Sequence, residues 1–170
     1  MPSDSQFARA LTSLWHTVSL AGGAVGCTST AARPEVAAKA AGVVAELRDG
    51  RSQAVALIAD RQLVGFVRVT AGTGLAAHTG EITAVMVDPA LQGGRLGTRV
   101  MTEILALATE LGLERVTVSV RDGHRLADFF ARFGFAEWGR RPGWIRQADE
   151  DDLDEVFLWA ALPGRVAGDR

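Results

Sequence analysis

Between Glu81 and Leu111 the chain reads strand, glycine loop, helix, and this stretch limits the possible fold more than any other. Glu81 to Val87 is apolar on both faces, as a central strand covered on both sides would be. Asp88-Pro89 breaks it. The loop Gln92-Gly93-Gly94-Arg95-Leu96-Gly97-Thr98 follows, and then Val100, Met101, Ile104, Leu105, Ala108 and Leu111 recur at helical spacing. Such a layout cradles phosphate. Glycines let the backbone come close to an anion. The unpaired N–H groups of the first helical turn point at it, and the helix dipole favours negative charge there.

The flanking sequence fixes the kind of sheet. Arg115 to Val120 alternates, with Val116, Val118 and Val120 on one face. A crossover helix reaches it, so this strand is expected parallel to the Glu81 strand. Upstream, amphipathic helices are predicted from Phe7 to Leu20 and from Pro34 to Arg48. Ala54 to Ala59 and Leu63 to Thr70 read as a hairpin turning at Asp60-Arg61, with a loop over residues 72–80. Downstream come a short helix with Leu126, Phe129, Phe130 and Phe133 apolar, a strand from Phe135 to Gly139, a loop from Arg140 to Glu150 and a strand from Leu153 to Leu162. The early hairpin excludes a simple doubly wound fold. The expectation is α/β (α+β): a mixed, mostly antiparallel central sheet with helices on both faces. Residues 1–170 are expected to form one domain, flexible at 1–5 and 164–170.

Composition removes several function classes. The net charge of −2 leaves no footprint for nucleic acid. No apolar run reaches the ~20 residues of a membrane span, and no secretory leader is recognisable, so a cytoplasmic protein is expected. Cys27 is the single cysteine, which excludes a disulfide framework or a cysteine metal cluster. No metal site is expected.

The glycine loop fits neither common nucleotide pattern. Gly93, Gly94 and Gly97 lack the dinucleotide spacing, and no Gly-Lys-Ser/Thr is present. It resembles instead the acetyl-CoA motif of the GNAT N-acetyltransferases, Gln/Arg-x-x-Gly-x-Gly/Ala after a strand ending Val-x-Pro. Here Val87-Asp88-Pro89 precedes Gln92-Gly93-Gly94-Arg95-Leu96-Gly97, and Arg95 stands at the family's middle glycine. Phe130-Ala131-Arg132-Phe133-Gly134-Phe135 resembles the family's Tyr-x-x-x-Gly-Phe. Gly22-Gly23-Ala24-Val25-Gly26 and Pro142-Gly143-Trp144 are similar to a subgroup that includes tabtoxin resistance protein, which acetylates a small toxin amine.

The resemblance implies acetyl-CoA as co-substrate. Its pyrophosphate would lie on Gln92, Gly93, Gly94, Arg95, Leu96, Gly97 and Thr98. Its pantetheine arm and acetyl carbonyl would lie along the backbone of Val85, Met86 and Val87, with Phe130 beside it. Attack by an amine on a thioester needs the amine neutral, yet an aliphatic amine holds its proton to about pH 10. A base must take that proton. Glu81 is the candidate, at the start of the strand, where some relatives place a catalytic glutamate. The family's usual acid is a tyrosine, but the chain has no tyrosine and Phe130 stands there.

The implied activity is direct transfer of acetyl from acetyl-CoA to a primary amine of a small molecule, in a possible homodimer. Alternatives are a CoA-binding sensor or partner module with impaired catalysis, and a protein N-acetyltransferase. Secondary candidates are His124 and Asp128 near Phe130, His78 before Glu81, Trp144 as a wall of the amine site, and the acidic run Asp149 to Asp152. His16, Trp15, Trp138 and Trp159 read as core or rim.

Overall fold

The computed structural model describes residues 3–23, 25–123, 125–146 and 152–163. Six strands lie in the order β1-β2-β3-β4-β6-β5. They are β1 (Gln53–Ala59), β2 (Gln62–Ala71), β3 (Thr79–Val87), β4 (Arg115–Arg121), β5 (Ala136–Ile145) and β6 (Leu153–Ala161). The helices are α1 (Asp4–Leu20), α2 (Arg33–Arg48), α3 (Leu96–Glu110) and α4 (Leu126–Ala131). As expected, β3 and β4 run parallel, whereas β4–β6 and β5–β6 are antiparallel. None of the described helices is long and apolar enough to cross a membrane.

Contacts divide the chain into two compact units, Met1–Arg68 with Thr83–Met101, and Val69–Ile82 with Thr102–Arg170. In the first, α1 starts at Asp4 rather than near Phe7. Ser3 and Gln6 form a reciprocal capping box that ties down the first turn. Leu11, Leu14, Trp15 and Val18 of α1 pack with Val36, Ala40, Val43 and Val44 of α2 over Phe66 and Met86. Successive strand residues point to opposite faces. Phe66 meets Phe7 of α1 at 6.1 Å between rings, and a Cβ on Gly65 would meet Val100 of α3 at 3.0 Å. The sheet therefore carries helices on both faces. Asp60 and Arg61 both take positive φ, as a tight two-residue hairpin requires.

In the second unit, Val116, Val118 and Val120 of β4 and Val156, Leu158 and Ala160 of β6 supply the buried face. A Cβ on Gly80 would stand 2.6 Å from Leu113, so glycine lets β3 and the turn after α3 close together. The predicted loop after Gly139 is strand as far as Ile145. Pro142 and Gly143 misled because they normally end strands. Here they lie on β5, the sheet's edge, where a proline N–H is not needed. A register shift between Arg141 and Ile145 absorbs them, and the Gly143 N–H donates to Asp154 at 2.9 Å. Arg140 pairs with Asp154 at 3.0 Å and Arg141 with Glu155 at 2.5 Å, pinning β5 to β6.

Candidate active site

The anion cradle belongs to the first unit. The Asp88 N–H donates to Val64 O at 2.9 Å, and the Asp88 carboxylate accepts from the Ala90 N–H, folding Pro89–Leu91 into one tight turn. Gln92 leads into Gly93, at φ +86°, and Arg95 takes φ +66° before α3 begins at Leu96. Left-handed residues that alternate with ordinary ones turn successive N–H groups toward a common centre, a concavity suited to anions. Arg95 thus keeps the conformation that the glycine it replaces would favour. The first turn of α3 has no acidic residue to offset the helix dipole, and Arg95 and Arg99 are exposed beside it. This end of the helix is electropositive and open, which fits a diphosphate.

Immediately upstream, β3 carries an irregularity that the sequence does not announce. Ala84 has φ +53° in mid-strand, a conformation rare for alanine. Such single-residue distortions re-aim backbone groups and end ladder pairing. Val85 and Val87, just beyond, are half-buried, and Met86 is fully buried. The Met86 side chain is core, so backbone is what it offers a ligand.

Glu81 and Phe130 belong to the second unit. Glu81 is exposed and stands opposite Thr117, at the last of three parallel pairs between β3 and β4. Phe130 is buried, with its ring 5.2 Å from Phe129 and 5.5 Å from Phe135. It is a packing residue with no hydroxyl to give. Val85–Val87 and the loop thus fall in the first unit, and Glu81 and Phe130 in the second.

The secondary candidates separate. His78 is exposed, and its carbonyl accepts the Glu114 N–H at 2.8 Å, which is a backbone role. Trp144 lies on strand β5 rather than in a loop. Asp128 is exposed in the first turn of α4. Trp15 is core, and its indole N–H donates to Val25 O at 3.0 Å. His124 and residues 149–151 lie outside the described residues. Cys27 is half-buried against the α1–α2 core. A groove of about 600 Å³ beside Leu113, Arg115 and Leu162 holds none of the sequence candidates. Sequence reasoning missed Ala84, which no residue-type signal marks. It also missed the place of Trp159, which only the strand register reveals.

Residues 22–135 match the model of the acetyltransferase (GNAT) family, and the chain belongs to that family. Over 71 residues it is 41% identical to the amino-acid acetyltransferase of Mycobacterium tuberculosis (strain ATCC 25618 / H37Rv). That match takes in 42% of this chain and 38% of the relative, so it spans well under half of that protein. Among solved structures, the ribosomal-protein-alanine N-acetyltransferase of Brucella melitensis superposes with a TM-score of 0.76. It is 18% identical, with 95% of this chain and 97% of that one covered. An aminoglycoside 6'-N-acetyltransferase complexed with coenzyme A gives 0.68 at 16% identity, covering 93% and 92%. At these identities the structural matches establish the fold.

Proposed function

We propose that this chain moves the acetyl group of acetyl-CoA directly to a primary amine of a small molecule, with Glu81 as general base. The observation that carries the proposal is the loop Gln92 to Thr98. It has an arginine held in a glycine conformation at the acid-free start of α3, in a chain of the GNAT family. When bound, acetyl-CoA supplies an activated acetyl group, whose C–S bond breaks as the amine's N–C bond forms. The N–H groups and Arg95 hold the diphosphate. Glu81, exposed on its strand, takes the proton from the incoming ammonium, directly or through water. Phe130 has no proton to give the departing thiolate, which leaves unprotonated or takes a proton from water.

The test is release of free thiol from acetyl-CoA with a panel of primary amines, wild type against Glu81→Gln. Glu81→Gln is expected to lower kcat/KM by roughly 10²-fold or more at pH 7, with much of the loss recovered at high pH as free amine accumulates. Full activity at neutral pH in the variant would remove Glu81 from the role of base. One observation favours a second reading. Phe130 lacks the hydroxyl that the family uses as an acid, as in a CoA-binding module that no longer catalyses. Binding of acetyl-CoA with no thiol released for any amine selects that reading.

A further inference from the structure

Strand register sets an unusual row beside Glu81. Glu81 is the partner of Thr117 in the β3–β4 pair, and Thr117 is the partner of Trp159 in the β4–β6 pair. Residues directly opposite one another share a face of the sheet. The next row along β4 and β6 is Ser119 with Phe157. Burial confirms which face this is, because Val116, Val118, Leu158 and Ala160, on the alternate positions, are all core. On the Glu81 face Thr117 is half-buried and Ser119 exposed, and Trp159 is 38% exposed. The aromatic surface then continues outward. Trp138 packs on Phe157 with ring centroids 5.5 Å apart and planes tilted by 45°, and Arg141 lies over both Phe157 and Trp144, at 4.8 and 4.5 Å from their rings. Trp138 and Trp144 are 61% and 63% exposed. Both keep most of their surface open on the sheet's edge strand, and a contiguous apolar patch of this kind marks a binding surface.

We propose that this aromatic face receives the non-reacting end of the acceptor, and that the acceptor is a primary amine carrying an aromatic or flat apolar group. The proposal rests on the reading of Glu81 as base, since it takes the nitrogen to lie there. Adjacent strands are about 4.8 Å apart, so Trp159 stands about 10 Å from Glu81 with only the small Thr117 between them. A nitrogen at Glu81 on a short carbon tether extends over Thr117, and its ring meets the indole of Trp159. Charge on this face argues against a polycationic acceptor. The other carboxylate of these rows, Glu155, is already paired with Arg141 at 2.5 Å. That leaves Glu81 to meet one ammonium.

The experiment compares 2-phenylethylamine, n-propylamine and spermidine as acceptors at saturating acetyl-CoA. Wild type is set against Trp159→Ala and Trp159→Phe. The expected result is a kcat/KM for 2-phenylethylamine at least about tenfold above the other two, carried by KM. Trp159→Ala brings the ratio to n-propylamine toward one, and Trp159→Phe restores most of it. Calorimetric titration of 2-phenylethylamine into the protein without acetyl-CoA gives a second readout, with heat in wild type that is lost in Trp159→Ala. The melting-temperature rise with acetyl-CoA shows that each variant is folded. Preference for spermidine or equal use of all three amines overturns the aromatic face while leaving the acetyl-transfer reading intact. Trp159-dependent binding of 2-phenylethylamine without acetylation of any amine supports the face and removes the reaction. A tryptophan variant that turns a dimer into a monomer in sedimentation, with amine preference unchanged, overturns the proposal and assigns the patch to contact between copies.

Discussion

Arg95 joins sequence, strain and ligand at a single residue. An L-residue held at φ +66° is disfavoured by about 1–2 kcal/mol, and glycine there would escape that cost. Glycine also loosens the unfolded chain, which returns about 0.4–1 kcal/mol of the gain. Arg95→Gly is therefore expected to raise the melting temperature of the free protein by up to about 6 °C. On the proposed reading the same change also takes a charged donor away from the diphosphate, and CoA affinity is expected to fall about tenfold. Opposite signs in stability and affinity, read by thermal denaturation and by calorimetric titration of CoA, distinguish a ligand contact from a tolerated substitution. Unchanged affinity removes Arg95 from the site. The motif was legible in the sequence because glycine and proline carry their backbone preferences in their identity. The left-handed angles at Arg95 and Ala84 were not, because nothing in arginine or alanine announces them.

Among the elements, the hairpin of β5 and β6 shows where reading by residue type fails and what replaces it. Pro142-Gly143 forecast a loop, yet the strand continues because the sheet edge tolerates proline and because cross-strand ion pairs hold it. The hub is Arg140, which donates to Glu137 and Asp122 at 2.9 Å and to Asp154 at 3.0 Å. Its guanidinium holds the Asp122 carboxyl below its ordinary 3.8, with help from the Gly123 N–H, and the Glu137 carboxyl below 4.5. A lowered pKa in the folded state gives stability that is complete above the ordinary value and is lost as pH falls through the lowered one. Wild type should therefore lose melting temperature below about pH 4. Arg140→Met leaves three carboxylates facing one another at neutral pH. It is expected to melt lower than wild type at pH 7, with the gap closing toward pH 3 as the acids take up protons. Melting curves across that range, near physiological salt, check the sign. A gap that is constant with pH means Arg140 acts through its packing. The other elements were legible because their periodicities are clean: the valines of β4 and the apolar stripe of α3 named both type and direction.

At the scale of the molecule, what was legible was the order of elements, and what was not was their adjacency. Glu81 and Trp159 are 78 positions apart in the chain. No periodicity joins them, and only the pairing of β4 with both β3 and β6 brings them into one row. The division into two units is equally silent in the sequence, because it cuts through β2, β3 and α3, at Arg68, Ile82 and Met101. A ligand on the glycine loop binds the folded chain and not the unfolded one, so its stabilisation grows with the logarithm of one plus its concentration over Kd. Acetyl-CoA at a hundred times its Kd is worth about 2.7 kcal/mol, which for a chain of this size raises the melting temperature by roughly 5–10 °C. Because the cradle is electropositive and solvent-facing, that rise should shrink as salt increases from about 0.05 to 0.5 M, where screening shortens to a few ångströms. Hydrogen exchange should place the protection at the N–H groups of residues 93–98. A denaturation scan with acetyl-CoA, repeated with CoA and with inorganic pyrophosphate, separates the contributions. Equal rises for acetyl-CoA and CoA put the recognition on the nucleotide end. No rise with either, at any salt, removes the loop as a CoA site and the acetyl-transfer reading with it.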